Sequence, residues 1–137
     1  MSSAERAWRG SGYYATYGGR GYRAWLLREG RVRLFSNDEP LPAGFEPSRR
    51  KRAKGERLMP LNEVERLVKV RTTCQWRGHP FEIGSDTAGT AFVTYLGVNF
   101  DEVCGLPGMS RPDKYEVMGE VPVSELSDIE EQSEDVS

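Results

Sequence analysis

Two short stretches decide how this chain of 137 residues folds. Residues 17–24 read YGGRGYRA, and residues 76–83 read WRGHPFEI. Laid over each other at an offset of 59, they share aromatic residues at two positions and a glycine at a third. An aromatic strand, a glycine turn and a second strand with alternating apolar residues are typical of a β-hairpin. The two stretches therefore predict one hairpin motif that the chain uses twice.

A second pair of stretches supports the repeat. Residues 58–67 and 120–129 align at an offset of 62 and share the pattern apolar-Pro-apolar-(Asn/Ser)-Glu-apolar-x-x-apolar. The proline limits the preceding strand to a sheet edge or a strand end. Asn62 and Ser124 suit the first position of a helix, and a glutamate follows each of them. We therefore expect a short helical turn at Asn62–Leu67 and another at Ser124–Ile129.

These blocks predict a mainly β fold built from two tandem copies of a small barrel-like unit, each ending in a short helical turn. A single β-sandwich is the alternative architecture. A unit of about 60 residues is marginal alone, so the copies are expected to share one body. The predicted organisation is an N-terminal extension at 1–12, a first β repeat at 13–72, a second β repeat at 73–131 and a disordered acidic tail at 132–137.

Charge separates the two copies. Residues 1–72 hold 16 Lys and Arg against 8 Asp and Glu, a net charge of +8. Residues 73–137 hold 3 against 13, a net charge of −10. In each predicted copy one long segment joins two strands. This segment carries a basic run in the first copy (36–57) and mainly acidic residues in the second (97–117). Loops on a rigid β scaffold often carry recognition, so we look for function there.

The acidic segment favours a basic protein surface as partner, since complementary charge speeds encounter. The predicted partner-binding residues are Phe100, Asp101, Glu102, Asp113, Tyr115 and Glu116.

The basic run supports a different hypothesis, because Lys and Arg neutralise phosphates and nearby aromatics such as Phe35 and Phe45 stack on bases. The alternative is therefore a nucleic-acid-binding module that uses Arg49, Arg50, Lys51, Arg52 and Lys54.

Chemistry is less expected than binding. His79 is the only histidine, and Cys74 and Cys104 are the only cysteines. These three lack metal-ligand spacing and a fourth ligand, so we expect no metal, no cofactor and no catalytic residues. The sequence has no apolar run of about 18 residues and no signal-peptide pattern. We therefore expect no membrane span and a cytoplasmic location.

The motifs also carry a resemblance. Tyr17-x-Gly19-x-x-Tyr22, its counterpart from Trp76 to Phe81, and the paired Pro-x-(Asn/Ser)-Glu motifs resemble those of small proteins from high-GC actinobacteria. The 15 Arg against 4 Lys fit such a genome. Some small acidic proteins of these bacteria are immunity proteins of polymorphic toxin systems. The resemblance implies a non-enzymatic inhibitor that occludes a basic surface of a cognate toxin, and each repeat resembles a Src-homology-three-like barrel.

Overall fold

A computed structural model describes residues 8–50 and 53–136 of the chain. Most of these residues lie in antiparallel β-strands, so the mainly β prediction is confirmed. The eleven strands are β1 (Gly12–Tyr17), β2 (Arg20–Leu26), β3 (Arg31–Ser36), β4 (Glu46–Pro47), β5 (Gly55–Pro60), β6 (Arg66–Trp76), β7 (His79–Thr87), β8 (Thr90–Tyr95), β9 (Met109–Asp113), β10 (Glu116–Pro122) and β11 (Ser127–Asp135). One short α-helix, α1 (Phe100–Val103), lies between β8 and β9.

The chain divides into two compact units. The N-terminal unit comprises Gly12–Lys69 and Ser133–Ser137, and the C-terminal unit comprises Met1–Ser11 and Val70–Gln132. Strand β6 contributes residues to both. The N-terminal unit has the strand order β4-β5-β3-β2-β1-β6, and the C-terminal unit has β6-β7-β8-β10-β9, while β11 pairs with β6.

Left-handed residues set the tight turns. Among the hairpins of the described residues, three have two-residue loops made of left-handed residues: Gly18-Gly19, Arg77-Gly78 and Ala88-Gly89. All six residues have positive φ, from 51° to 84°. A two-residue loop with positive φ at both positions matches the twist of the flanking strands, which explains why glycine occupies four of the six places. These turns fix the register of the strands beside them.

Each unit has its own apolar core because the strands alternate buried and exposed residues. In the N-terminal unit, Ala15, Ala24 and Leu34 lie side by side on the buried face of β1, β2 and β3. In the C-terminal unit the largest fully buried side chains are Trp76 and Phe81, whose rings meet edge to face at 5.6 Å.

The finer parts of the fold prediction are not confirmed. Single 3₁₀ turns occur at Leu61–Glu63 and Val123–Glu125 and overlap only the first two residues of the predicted helical turns. The last residues of both predictions lie in β6 and β11, which follow the 3₁₀ turns. In each unit the first strand also neighbours the strand after the 3₁₀ turn, β1 with β6 and β6 with β11. This pairing is compatible with a small barrel, but tandem barrels and the internal repeat stay predictions.

Two expectations about the chain ends are corrected. Residues predicted as a disordered tail continue β11 to Asp135, and the amide of Val136 donates to the carbonyl of Leu67 at 2.9 Å. The acidic strand pairs with β6, and its Asp135 lies 3.1 Å from Arg66 Nε. In the predicted N-terminal extension, residues 1–7 lie outside the described part of the chain. Trp8 packs on the core of the C-terminal unit, and Ser11 N–H donates to Ile83 O at 2.8 Å.

Candidate protein-binding surface

Helix α1 is anchored by one apolar side chain. Val103 is fully buried in the core of the C-terminal unit. The amides of Val103 and Cys104 donate to the carbonyls of Asn99 and Phe100 at 3.1 and 3.0 Å, which forms the single turn. Because Val103 points inward, Phe100, three residues earlier on the same helix face, packs against the same core, while Asp101 and Glu102 are turned toward solvent.

A row of rings connects the core to solvent. The ring centroids of His79 and Tyr95 are 6.0 Å apart, those of Tyr95 and Phe100 5.7 Å, and those of Phe100 and Tyr115 5.9 Å. All three pairs meet edge to face, a favourable geometry for aromatic contacts. Tyr95 is buried, Phe100 is half-buried, and Tyr115 is 70% exposed. The row therefore holds Tyr115 out in solvent with a fixed support beneath it.

Tyr115 owes its exposure to a tight turn. Strands β9 and β10 pair with Asp113 opposite Glu116, so Lys114 and Tyr115 form the two-residue tip of the hairpin. Arg111 fixes this tip, because its side chain donates to the carbonyl of Lys114 at 3.2 Å from Nε and at 2.7 Å from Nη2. The Lys114 ammonium lies 5.4 Å from the centre of the Tyr115 ring.

Carboxylates surround the rings, and they differ in their partners. Asp101 pairs with Arg111 at 2.5 Å, and hydrogen bonding to Asp101 raises the pKa of Arg111. Glu102 lies 3.6 Å from His79 Nε2 and keeps 67% of its side chain exposed. Among the described residues, Asp113 and Glu116 form no salt bridge, so their charges remain available.

The structure thus brings together all six residues predicted to bind a partner: Phe100, Asp101, Glu102, Asp113, Tyr115 and Glu116. We call these six residues the α1 surface. Leu96 and Val98, in the loop before α1, add exposed apolar area, with Val98 81% exposed. Sequence reasoning did not select them because a loop gives no periodic pattern to show which apolar residues face outward.

Two aromatic residues of the C-terminal unit belong to the core. Trp76 and Tyr95 are both buried. The Trp76 indole N–H donates to Glu125 Oε1 at 2.9 Å, and Tyr95 Oη accepts a hydrogen bond from the Asn99 amide at 3.0 Å. His79 is the first residue of β7, and its side chain is only 18% exposed.

The predicted nucleic-acid loop is only partly described. Lys51 and Arg52 lie outside the described residues, and Arg49 is exposed. Arg50 pairs with Glu56 at 2.8 Å, and the Lys54 ammonium pairs with Glu39. Hydrogen bonding to Lys54 lowers the pKa of Glu39. Two of the loop's cations are therefore engaged within the chain, and phosphate binding by this loop stays a prediction.

An open groove of about 610 Å³ lies in the C-terminal unit. Among its lining residues are Arg71, Cys74, Asp128 and Glu130. Burial raises the pKa of Cys74 to about 11, so its thiol is protonated at neutral pH and a poor nucleophile. No group of three or more potential metal ligands occurs in the described part of the chain, and none of its helices is long and apolar enough to cross a membrane. The groove favours no particular reaction, and a non-enzymatic function stays a prediction.

The chain belongs to a family described as "Uncharacterised conserved protein UCP033725", whose match spans residues 10–136. The match covers residues of both units. No curated protein and no solved structure matches the chain.

Proposed function

We propose that this chain is a protein-binding module that docks a partner with a basic surface on its α1 surface. The single observation that carries the proposal is Tyr115, 70% exposed at a hairpin tip and supported by Phe100 at 5.9 Å. An exposed, rigidly held tyrosine costs little conformational entropy on binding, and tyrosine is enriched among the residues that dominate interface energies.

Charge supports a basic partner. The α1 surface holds Asp101, Glu102, Asp113 and Glu116, and Arg111 neutralises only the first of them. Residues 73–137 carry a net charge of −10, so the field around the surface would attract a cationic protein over about one Debye length, roughly 8–10 Å. A central aromatic contact with a charged rim is the usual anatomy of a protein interface.

The more specific proposal is an immunity protein that occludes a basic surface of a cognate toxin in the cytoplasm. Its support is the sequence resemblance together with the acidic aromatic surface. Occlusion requires only binding, so it needs no catalytic residue or cofactor.

Site-specific photo-crosslinking in the native host tests the proposal. A photoreactive phenylalanine analogue replaces Tyr115 in one variant and Asn62, exposed on the N-terminal unit, in a matched control. We expect position 115 to capture one basic protein that position 62 does not capture. Equal crosslinking from both positions, or none from position 115, would contradict the proposal.

A further inference from the structure

One face of the N-terminal unit combines rings with arginines. Register places Tyr14 opposite Arg23 and Arg23 opposite Phe35, with Trp25 opposite Arg33. Side chains two residues apart on a strand share a face, so these five residues lie on the same side of β1, β2 and β3. We call them the Arg–aromatic face. The residues between them, such as Ala15, Ala24 and Leu34, point to the core.

The rings and cations of this face contact one another. Trp25 and Phe35 meet edge to face with centroids 4.9 Å apart. The guanidinium carbon of Arg23 lies 4.9 Å from the centre of the Tyr14 ring, and that of Arg50 lies 5.2 Å from the Trp25 ring. Trp25 remains 37% exposed. The face therefore presents a preformed surface of rings bordered by cations.

Its charge is positive. Arg23, Arg31, Arg33 and Arg50 lie on or over this face, and Glu46 and Glu56 are the acidic residues on its β4–β5 side. Glu56 meets both Arg33, at 3.4 Å, and Arg50, at 2.8 Å. One carboxylate thus serves two guanidiniums, which leaves a positive excess.

The C-terminal unit supplies an internal comparison. The offset of 59 aligns Tyr14, Arg23 and Phe35 with Thr73, Glu82 and Thr94. The strand register is the same in both sets, because Thr73 lies opposite Glu82 and Glu82 lies opposite Thr94. A sheet of this type therefore forms without rings or cations at these places. Arginines and aromatic residues at these positions are therefore not required for this strand register.

We propose that the Arg–aromatic face binds single-stranded nucleic acid, with bases stacking on Trp25, Phe35 and Tyr14 and phosphates pairing with the arginines. Charge alone would suit any polyanion, but rings between the cations are what unpaired bases use. A duplex keeps its bases stacked inside and cannot use the rings. This site is distinct from the α1 surface, so the proposal stands independently of the proposed function.

Fluorescence anisotropy with labelled oligo(dT) and oligo(U) of about 20 nucleotides, at low and moderate salt, tests the proposal. We expect both to bind, with affinity falling steeply as salt rises. A duplex of the same length should bind at least about tenfold more weakly. Trp25→Ala should weaken single-strand binding on the order of tenfold, whereas Trp25→Phe, which keeps a ring, should retain most of it.

The internal comparison supplies a sharper variant. Tyr14→Thr, Arg23→Glu and Phe35→Thr together introduce the residues found at the matching positions of the C-terminal unit, so the sheet should tolerate them; a circular dichroism spectrum checks folding. We expect this triple variant to abolish binding. Lys69→Glu, with the same charge change as Arg23→Glu but at an exposed position of β6, should bind nearly as the parent does.

Three results would overturn the proposal: no complex with either oligonucleotide at low salt, equal affinity for the duplex, or loss of binding with Arg49→Ala and Lys54→Ala but not with the triple variant. The last result would assign the binding to the loop at 49–54.

Discussion

Replacing Val103 with alanine tests whether α1 is held by that single buried side chain. The substitution removes the equivalent of two methylene groups from a fully buried position. At about 0.8 kcal/mol for each buried methylene, the lost transfer free energy is roughly 1.6 kcal/mol. The cavity left behind raises the expected loss to about 2–3 kcal/mol.

The matched control is Val98→Ala. It is the same chemical change five residues earlier, at a side chain that is 81% exposed, and it should alter the free energy of unfolding by less than about 0.5 kcal/mol.

Thermal and urea denaturation followed by circular dichroism measure both variants. At roughly 4 °C for each kcal/mol, Val103→Ala should lower Tm by about 8–12 °C, while Val98→Ala should leave it nearly unchanged. Hydrogen exchange should quicken at the amides of Val103 and Cys104, which bond within α1. Equal effects of the two variants would refute the placement of α1, because the reasoning rests on one valine facing inward and the other facing outward.

Three further predictions concern the side chains of Trp76, Glu131 and Cys74. Glu125→Leu leaves the buried indole N–H of Trp76 without its acceptor and should lower the free energy of unfolding by about 1–3 kcal/mol. Glu125→Gln keeps an acceptor and should lower it by less. Equal losses of the two variants in urea denaturation would contradict the role of this hydrogen bond. Burial opposes ionisation of Glu131, but the hydrogen bonds and charge of Arg9 outweigh it and hold the pKa of Glu131 below 4.5. The stabilisation that the ionised Glu131 gives the folded state is therefore present above pH 4.5 and is lost as the pH falls through its lower pKa in the folded state. Glu131→Gln should therefore flatten the acid limb of the Tm-versus-pH curve, and an unchanged limb would argue against the pair. Buried Cys74, with its pKa raised to about 11, should react with a disulfide reagent far more slowly than Cys104, and a Cys104→Ser variant that still labels quickly would disprove this.

Hairpins were the part of the fold that the sequence predicted best. Glycines at 19 and 78 have positive φ and lie in the turns where the pattern placed them. Such turns are local, because a left-handed residue pair decides them with little help from the rest of the chain. Alternating apolar residues then located β2 and β7 to within a few residues.

Strand β11 was missed because its stabilisation is not local. Its sequence is acidic and has only one apolar residue between 127 and 135, which is typical of a solvated tail. It pairs with β6 and makes long-range contacts such as Arg9 with Glu131 and Arg66 with Asp135, and no sequence window contains both partners of these contacts. The packing of Trp8 on the core was missed for the same reason, because Trp8 contacts residues that are distant in the sequence.

The candidate site was predictable in its residues but not in its geometry. Charge contrast between the two halves of the sequence selected Phe100, Asp101, Glu102, Asp113, Tyr115 and Glu116, and the structure brings them together. Which ring is exposed depends on the pairing of β9 with β10 and on the burial of Val103, so the sequence could not separate exposed Tyr115 from buried Tyr95. The Arg–aromatic face was overlooked because its residues are spread over three strands and come together only in register.

Charge reversal on the α1 surface tests the proposed function most directly. A variant with Glu102→Lys, Asp113→Lys and Glu116→Lys is compared with one carrying Glu46→Lys, Glu63→Lys and Glu134→Lys, which has the same change in net charge at exposed sites outside the α1 surface. The measurement is the yield of the photo-crosslink from position 115 in each background. We predict that the first variant loses the crosslinked partner and the second retains it; equal yields from both would contradict binding through the α1 surface.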